Sequence, residues 1–157
     1  MRSLRILLVE DSPADVRLTR EALKQTNIPV QITVARDGVE AIEYLQQAER
    51  DQSPRPHLVL LDLNLPRKNG QEVLAEVKAS PNLRQIPVLV MTSSKSDEDV
   101  SQAYALNANC YISKPEDLHG YMHAVRAIEE FWFLTATLPD AFRALNAQSA
   151  GVTATVN

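Results

Sequence analysis

The stretch Leu58-Val59-Leu60-Leu61-Asp62-Leu63-Asn64-Leu65-Pro66 decides the fold, because four aliphatic residues run directly into one aspartate. A continuous aliphatic run of this length is typical of a strand whose two faces are both covered by helices, as in a parallel sheet. Pro66 lacks the amide hydrogen that a strand ladder needs, so the strand must end before it. We therefore expect Asp62 at the carboxyl end of an interior strand, which is where open α/β sheets bind ligands.

Four more segments of the chain predict strands, at 4–9, 30–35, 86–91 and 110–113. Helical segments alternate with them, and this alternation indicates a parallel sheet with right-handed crossovers. Five units are too few for an eight-stranded barrel. We predict a doubly wound α/β fold, with a five-stranded parallel sheet of order 2-1-3-4-5 as in flavodoxin. An extended C-terminal helix is expected over 116–135, and Gly70 is expected to give the turn after the Asp62 strand a positive φ.

Composition narrows the class of protein. A chain of 157 residues suggests one domain with its own core. The net charge of −4 argues against a nucleic-acid-binding surface, and no apolar run approaches the roughly 18 residues of a membrane span. One cysteine excludes an intramolecular disulfide and favours a reducing compartment, so we expect a cytoplasmic protein. We predict a main domain over 1–134 and a partly disordered C-terminal extension over 135–157.

Polar residues follow four of the predicted strands at their carboxyl ends: Glu10 and Asp11, Asp62, Thr92, and Lys114. In this strand order the first and third strands are neighbours, so Asp11 and Asp62 face each other across one crevice. Two carboxylates ~4 Å apart repel by about 4 kcal/mol at an effective dielectric of ~20, and a divalent cation relieves that repulsion. Oxygen ligands of this kind suit Mg²⁺. Taken singly, each residue also fits an ordinary role as a helix-dipole acid, a cap or a solvated lysine.

Taken together, these motifs resemble the response-regulator receiver domains of two-component signalling, over roughly residues 4–127. The segments that carry the resemblance are Leu7-Leu8-Val9-Glu10-Asp11, Leu61-Asp62-Leu63-Asn64-Leu65-Pro66 with Gly70, Val90-Met91-Thr92-Ser93, and Tyr111-Ile112-Ser113-Lys114-Pro115. The resemblance implies that Asp62 accepts a phosphoryl group from a sensor histidine kinase. It also implies a set of Mg²⁺ ligands, held directly or through water: Glu10, Asp11, Asp62 and the backbone carbonyl of Asn64. By the same resemblance Thr92 and Lys114 bind the phosphoryl oxygens, and Thr92 and Tyr111 change position on activation.

Two other functions stay open at this point. A Mg²⁺-dependent phosphohydrolase would also form an aspartyl-phosphate, although haloacid-dehalogenase-like hydrolases carry a second acid where this chain has Asn64. A phosphorylation-independent interaction module would share the fold without using the acidic residues. Our expectation is a receiver that is not an enzyme beyond catalysing its own phosphoryl transfer and dephosphorylation. About 30 residues follow Ala127, too few for a DNA-binding domain with its own core, which indicates a stand-alone receiver.

The C-terminal helix suggests a partner. Among stand-alone receivers, the Glu-Glu-Phe-Trp-Phe-Leu stretch at 129–134 resembles regulators paired with cyanobacterial phytochrome kinases. Phe131, Phe133 and Leu134 lie outside the apolar stripe that the sheet can bury, so we predict that they form the interface of a homodimer. The alternative is that the tail after Pro139, with Phe142, folds back and covers them within one chain.

Overall fold

The computed structural model describes residues 3–139, and it confirms the predicted doubly wound α/β fold. Five parallel strands lie in the order β2-β1-β3-β4-β5, with helices on both faces. In chain order the elements are β1 (Leu4–Val9), α1 (Pro13–Leu23), β2 (Val30–Ala35), α2 (Gly38–Arg50), β3 (Leu58–Leu61), α3 (Gly70–Ala79), β4 (Val88–Thr92), α4 (Asp97–Ala105), β5 (Cys110–Ser113), α5 (Leu118–Ile128) and a π-turn (Glu129–Phe133). Within the described residues, no helix has both the length and the apolar character needed to cross a membrane.

The central strands are buried because their side chains alternate between two apolar clusters. Leu7 and Val9 of β1 point into a cluster that contains residues of α2, α3 and α4. Ile6 and Leu8 point the other way, into a cluster that contains residues of α1 and α5. Strands β3 and β4 are buried along their whole length, as a parallel sheet covered on both faces requires. This packing fixes which strand ends meet at the carboxyl edge of the sheet.

The helices that follow the strand ends begin at side-chain caps. The Ser12 hydroxyl accepts a hydrogen bond from the Asp15 amide, and Pro13 occupies the first turn of α1. Asn69 and Glu72 form a reciprocal capping box at the start of α3. Each cap satisfies amide groups that would otherwise lack a partner. The caps therefore fix where each helix begins after its strand end.

The turn after β3 needs Gly70 for space, and the prediction of a positive φ at Gly70 is wrong. No described glycine has a positive φ, whereas Arg67 in the same loop has a φ of 64°. A Cβ on Gly70 would lie 2.4 Å from the carbonyl oxygen of Asp62 and 2.5 Å from the Cα of Leu63. The Arg67 guanidinium also binds the Asp37 carboxylate at 2.7 Å, which holds the loop against the start of α2.

The last helix begins at Leu118, later than predicted, and it does not continue as an α-helix to residue 135. After Ile128 the chain makes a π-turn, in which the amide of Leu134 donates to the carbonyl of Glu129 five residues earlier. Phe133 stands five residues after Ile128, so one turn of this wider helix brings both onto the face toward the core. Phe133 is therefore only 6% exposed, and the prediction that it forms an exposed interface is wrong.

The two remaining predicted interface residues are exposed, Phe131 at 54% and Leu134 at 56%. Leu138, in the segment predicted as an extension, is buried in the same cluster as Phe133. Residues 140–157, with the rest of the extension predicted as partly disordered and the Phe142 of the fold-back alternative, lie outside the described residues.

Candidate functional site

The acidic residues meet because β1 and β3 are neighbours in register. Val9 pairs with Leu61, so Glu10, Asp11 and Asp62 follow side by side at the carboxyl edge of the sheet. One carboxylate oxygen from each of these three residues lies within 4.8 Å of the others. Glu10 and Asp62 are buried, whereas Asp11 is exposed and opens the cluster to solvent. Three hard oxygen donors at this separation fit a divalent cation such as Mg²⁺.

Both oxygens of the Asp62 carboxylate have partners. Oδ1 accepts a hydrogen bond from the Asn64 amide at 3.2 Å, and Oδ2 lies 2.9 Å from the Lys114 ammonium. The side chain of Asp62 is 5% exposed. A carboxylate this buried and fixed on both sides is held in one orientation toward the crevice.

Lys114 is the cation of the site. Its Nζ lies 2.7 Å from Asp15, 2.8 Å from Glu10 and 2.9 Å from Asp62. Burial by itself lowers the pKa of Lys114, but the hydrogen bonds to the three carboxylates outweigh it and raise that pKa, so the lysine stays charged. Its backbone amide donates to the Thr92 carbonyl at 2.8 Å, which ties the end of β5 to the end of β4.

Asp15 is a member of the site that the sequence analysis missed. It lies in the first turn of α1, four residues after Asp11, and its carboxylate makes the shortest of the three contacts to Lys114. Helix α1 follows directly on the end of β1, so an acid in its first turn is a signal that could have placed Asp15 near the crevice.

Burial raises the pKa of Glu10 to about 7. The hydrogen bond from Lys114 acts against that rise, and the charge of Asp62 adds to it. The ionised form of Glu10 thus depends on neighbouring positive charge.

Thr92 lies at the carboxyl end of β4, next to the strand that carries Asp62, and it is fully buried. Within residues 3–139 its Oγ1 has no hydrogen-bond partner. A buried hydroxyl without a partner costs about 1–3 kcal/mol, so such groups are uncommon in native cores. An oxygen of a bound anion would satisfy it, which fits the predicted role of Thr92.

Tyr111 links β5 to the loop that follows Thr92. Its hydroxyl donates a hydrogen bond to the Ser94 carbonyl at 2.9 Å, and its amide donates to the Tyr104 hydroxyl at 3.1 Å. The ring packs against the cluster under α4. By contrast, Phe131 and Leu134 are not part of this site, because they lie on the π-turn at the other end of α5 from Lys114.

Solved structures of other proteins share this arrangement of strands and helices. The phosphorylated cyanobacterial phytochrome response regulator RcpA matches with a TM-score of 0.83 and 48% identity, over 88% of this chain and 100% of that chain. The Mn²⁺-bound form of response regulator Rcp1 matches with a TM-score of 0.79 and 51% identity, over 86% of this chain and 98% of that chain. The bacteriophytochrome response regulator AtBRR matches with a TM-score of 0.67 and 39% identity, over 84% and 96%.

Sequence comparison agrees with the structural matches. Response regulator Rcp1 of Synechocystis is 51% identical over 137 residues, which is 87% of this chain and 93% of that protein. Residues 6–126 match the response regulator receiver domain. This range contains the acidic cluster, Thr92, Tyr111 and Lys114, and the likeness favours a receiver over a phosphohydrolase. The chain therefore belongs to the response regulator receiver domain family, the phosphate-accepting proteins of two-component signalling.

Proposed function

We propose that Asp62 is the residue that accepts a phosphoryl group, from the phosphohistidine of a sensor histidine kinase, and that the change is read by protein contact. The observation that carries this proposal is the Asp62 carboxylate itself. It is buried at the carboxyl end of β3, fixed on both oxygens, and placed beside Lys114 and two further acids of the cluster. A nucleophile held in one orientation lowers the entropic cost of the transfer.

Receiver domains bind Mg²⁺, and the acidic cluster of this chain has the donor set that this ion prefers. In our proposal the ion is held by a set of four residues: Glu10, Asp11, Asp62 and the backbone carbonyl of Asn64. Bound Mg²⁺ offsets negative charge on the transferring phosphoryl group. The exposed side of Asp11 gives the ion and the phosphoryl donor a path from solvent.

The transfer forms one bond as another breaks. An Asp62 carboxylate oxygen forms a bond to phosphorus while the phosphorus–nitrogen bond to the kinase histidine breaks, and the electron pair stays with the imidazole. Lys114 and the Thr92 hydroxyl then bind phosphoryl oxygens, which gives the orphaned Thr92 Oγ1 a partner. Hydrolysis of the aspartyl-phosphate in the same site returns the free carboxylate, so the protein catalyses its own phosphorylation and dephosphorylation and no other reaction.

The switch runs through Thr92 and Tyr111. A phosphoryl group adds roughly −1.5 to −2 charge units, which draws Thr92 and Lys114 toward Asp62. Movement of Thr92 shifts the loop that contains Ser94, whose carbonyl accepts the Tyr111 hydrogen bond. Loss of that bond frees the Tyr111 ring to change rotamer and alters the surface formed by α4 and β5.

The partner is a sensor histidine kinase of the phytochrome class. This part of the proposal is supported by the likeness to RcpA, a cyanobacterial phytochrome response regulator, and to AtBRR, a bacteriophytochrome response regulator. We further propose a homodimer that buries exposed Phe131 and Leu134, with the receiver unit ending near residue 134 and residues 135–157 as its extension. Reduced Cys110 and an ATP-dependent kinase partner both favour action in the cytoplasm.

Intact-mass spectrometry after incubation with acetyl phosphate and Mg²⁺ tests the proposal. We expect one added phosphoryl group on the wild-type protein and none on Asp62→Asn. Glu43→Gln, which changes an exposed acid of α2, is the matched control and should be modified like the wild type. Modification of Asp62→Asn at the wild-type rate would refute the assignment. Transfer from purified candidate kinases then identifies the donor.

A further inference from the structure

Asp15 binds the ammonium of Lys114 without belonging to the predicted metal cluster. Its Oδ2 lies 2.7 Å from Nζ, the shortest of the three lysine–carboxylate contacts. The cluster whose oxygens lie within 4.8 Å of one another consists of Glu10, Asp11 and Asp62 alone among the described residues. Asp15 therefore contacts the lysine of the site and stands outside this acidic cluster.

The backbone of Asp15 is held on both sides. Its amide donates to the Ser12 hydroxyl at 3.3 Å, and its carbonyl accepts from the Thr19 hydroxyl at 2.8 Å. The carboxylate therefore projects from a rigid first turn of α1. A charged group on such a support fixes the position of what it binds better than one on a loop.

Asp15 also lies close to a buried tyrosine, although its own side chain is 27% exposed. The Tyr121 side chain, on the neighbouring helix α5, is 1% exposed. Burial raises the pKa of Tyr121 to about 12, and the charge of Asp15 adds to that rise. Asp15 thus acts at short range on both Lys114 and a buried hydroxyl of α5. Because the Lys114 side chain is mostly buried, its pair with Asp15 is screened less than a surface pair.

The three N–H bonds of the Lys114 ammonium match three carboxylates, those of Glu10, Asp15 and Asp62. Under the proposed function, Glu10 and Asp62 are also ligands of the ion, and Asp62 carries the phosphoryl group. Asp15 is then the one acid among these three that keeps the lysine as its partner throughout. Its contact leaves the other two N–H bonds directed at the crevice.

We propose that Asp15 is a positioning residue for phosphoryl transfer, which anchors Lys114 on the α1 side of the site so that the ammonium is directed at the phosphoryl group on Asp62. This inference rests on the proposed function of Asp62. Without the anchor, Lys114 is held only by Glu10 and Asp62, and its ammonium no longer has a fixed position for the incoming phosphoryl oxygens.

The test compares Asp15→Asn and Asp15→Glu with the wild type. The phosphorylation rate is measured against acetyl phosphate concentration at saturating Mg²⁺, and Mg²⁺ affinity is measured by calorimetry. Since a 1 Å misplacement can cost up to about 10²-fold, we expect the maximal rate of Asp15→Asn to fall about tenfold or more, with the Mg²⁺ Kd within about twofold of wild type. Asp15→Glu, which restores the charge, should recover part of the rate.

Glu21→Gln is the matched control, because Glu21 lies on the same helix and its carboxylate pairs with the exposed Lys24 ammonium. It should keep the wild-type rate. An Asp15→Asn rate equal to wild type, a rate loss explained wholly by weaker Mg²⁺ binding, or a glutamate variant no faster than the asparagine variant would each overturn the positioning role. If thermal melting shows that the Asp15→Asn protein does not fold, Asp15→Ser takes its place in the same assay.

The same experiment separates this inference from the proposed function. A wild-type protein that takes no phosphoryl group at Asp62 overturns both. If the wild type is phosphorylated at Asp62 and the Asp15→Asn variant is phosphorylated equally fast, only the role of Asp15 is overturned.

Discussion

The backbone amide of Asp62 donates a hydrogen bond to the carbonyl of Val9 over 3.0 Å, and this contact joins the end of β3 to the end of β1. Side chains alternate between the faces of a strand, so a slip of one residue in the pairing of Val9 with Leu61 would turn Asp62 away from Glu10 and Asp11. The burial of both strands on both faces prevents that slip. The site is therefore assembled by the same packing that stabilises the sheet.

Removing the exposed acid of the cluster should weaken the metal site. Mg²⁺ at 100 times its Kd stabilises a protein by about 2.7 kcal/mol when it binds only the folded state. We expect Asp11→Asn to lose most of that stabilisation, because the ion loses a charged ligand. Thermal melting with Mg²⁺ and with EDTA measures the difference, and Glu43→Gln is the control. An equal Mg²⁺-dependent shift in Asp11→Asn and wild type would contradict the role of Asp11.

Removing Lys114 should separate phosphorylation from switching. Lys114→Ala leaves Glu10, Asp15 and Asp62 without their shared cation, and breaking a buried ion pair costs about 3–5 kcal/mol. Since the lysine is 12% exposed, we expect the low end of that range in EDTA, and partial recovery with Mg²⁺. The phosphorylated variant should lack the change in partner binding or oligomeric state. A full phosphorylation-dependent change would show that Lys114 does not couple the site to β5.

Adding a methyl group at Gly70 should displace the loop that follows Asp62. The new Cβ would lie 2.4 Å from the Asp62 carbonyl oxygen, so backbone atoms must move. We expect Gly70→Ala to lower the free energy of unfolding by about 1–3 kcal/mol, as overpacking commonly does, and to slow phosphorylation. Urea unfolding and the acetyl phosphate assay measure the two effects. Gln71→Ala, at the next position of α3, should change neither; a Gly70→Ala variant as stable and as fast would refute the argument.

The two exposed apolar residues of the π-turn should hold the dimer together. The double variant Phe131→Glu, Leu134→Glu places charge in that surface and should sediment as a monomer where the wild type is a dimer. Leu118→Glu is the control, since Leu118 is 42% exposed but lies at the start of α5. Sedimentation equilibrium with and without phosphorylation decides the matter. A wild type that stays monomeric at high micromolar concentration in both states would refute the homodimer, and a dimer unaffected by the double variant would place the interface elsewhere.

The single cysteine should be unreactive in the folded protein. Burial raises the pKa of Cys110 from about 9 to about 11, so only on the order of 0.1% of the thiol is ionised at pH 8. We expect slow alkylation by iodoacetamide at pH 8 and rapid alkylation in denaturant. The folded state holds this proton more tightly than the unfolded chain, so the stability it contributes is present below pH 9 and is lost as the pH rises toward 11. Rapid labelling of the folded protein at pH 8 would contradict this.

The strand order could be predicted from the sequence, because long aliphatic strands that alternate strictly with helices allow few other topologies. It also located Glu10, Asp11, Asp62 and Lys114 together, because each follows a strand and parallel strands end at the same edge. Asp15 was not predicted as a site residue, because an acidic residue in the first turn of a helix commonly serves only to interact with the helix dipole. Only the position of α1 against β5 shows its contact with the lysine.

Two other predictions failed for reasons of backbone geometry. Gly70 was expected to supply a positive φ, whereas its actual constraint is the close approach of the backbone of Asp62 and Leu63, just after β3. Phe133 was predicted to be exposed because the α-helical period of 3.6 residues was extended through 129–133. In the structure this segment is a π-turn with an i→i+5 hydrogen bond. Helical periodicity cannot reveal a change of period within one turn.

The π-turn also bears on how relatives of this chain are aligned. A π-turn is an α-helix with one extra residue, and each residue of an α-helix advances about 100° around its axis. A relative that lacks one residue between Glu129 and Phe133 would continue as a plain α-helix, and every later side chain would be rotated by about that angle. An exposed pair such as Phe131 and Leu134 would then face a different direction, so a gap of a single residue in an alignment could mark a change of partner surface while the phosphoryl site stays intact.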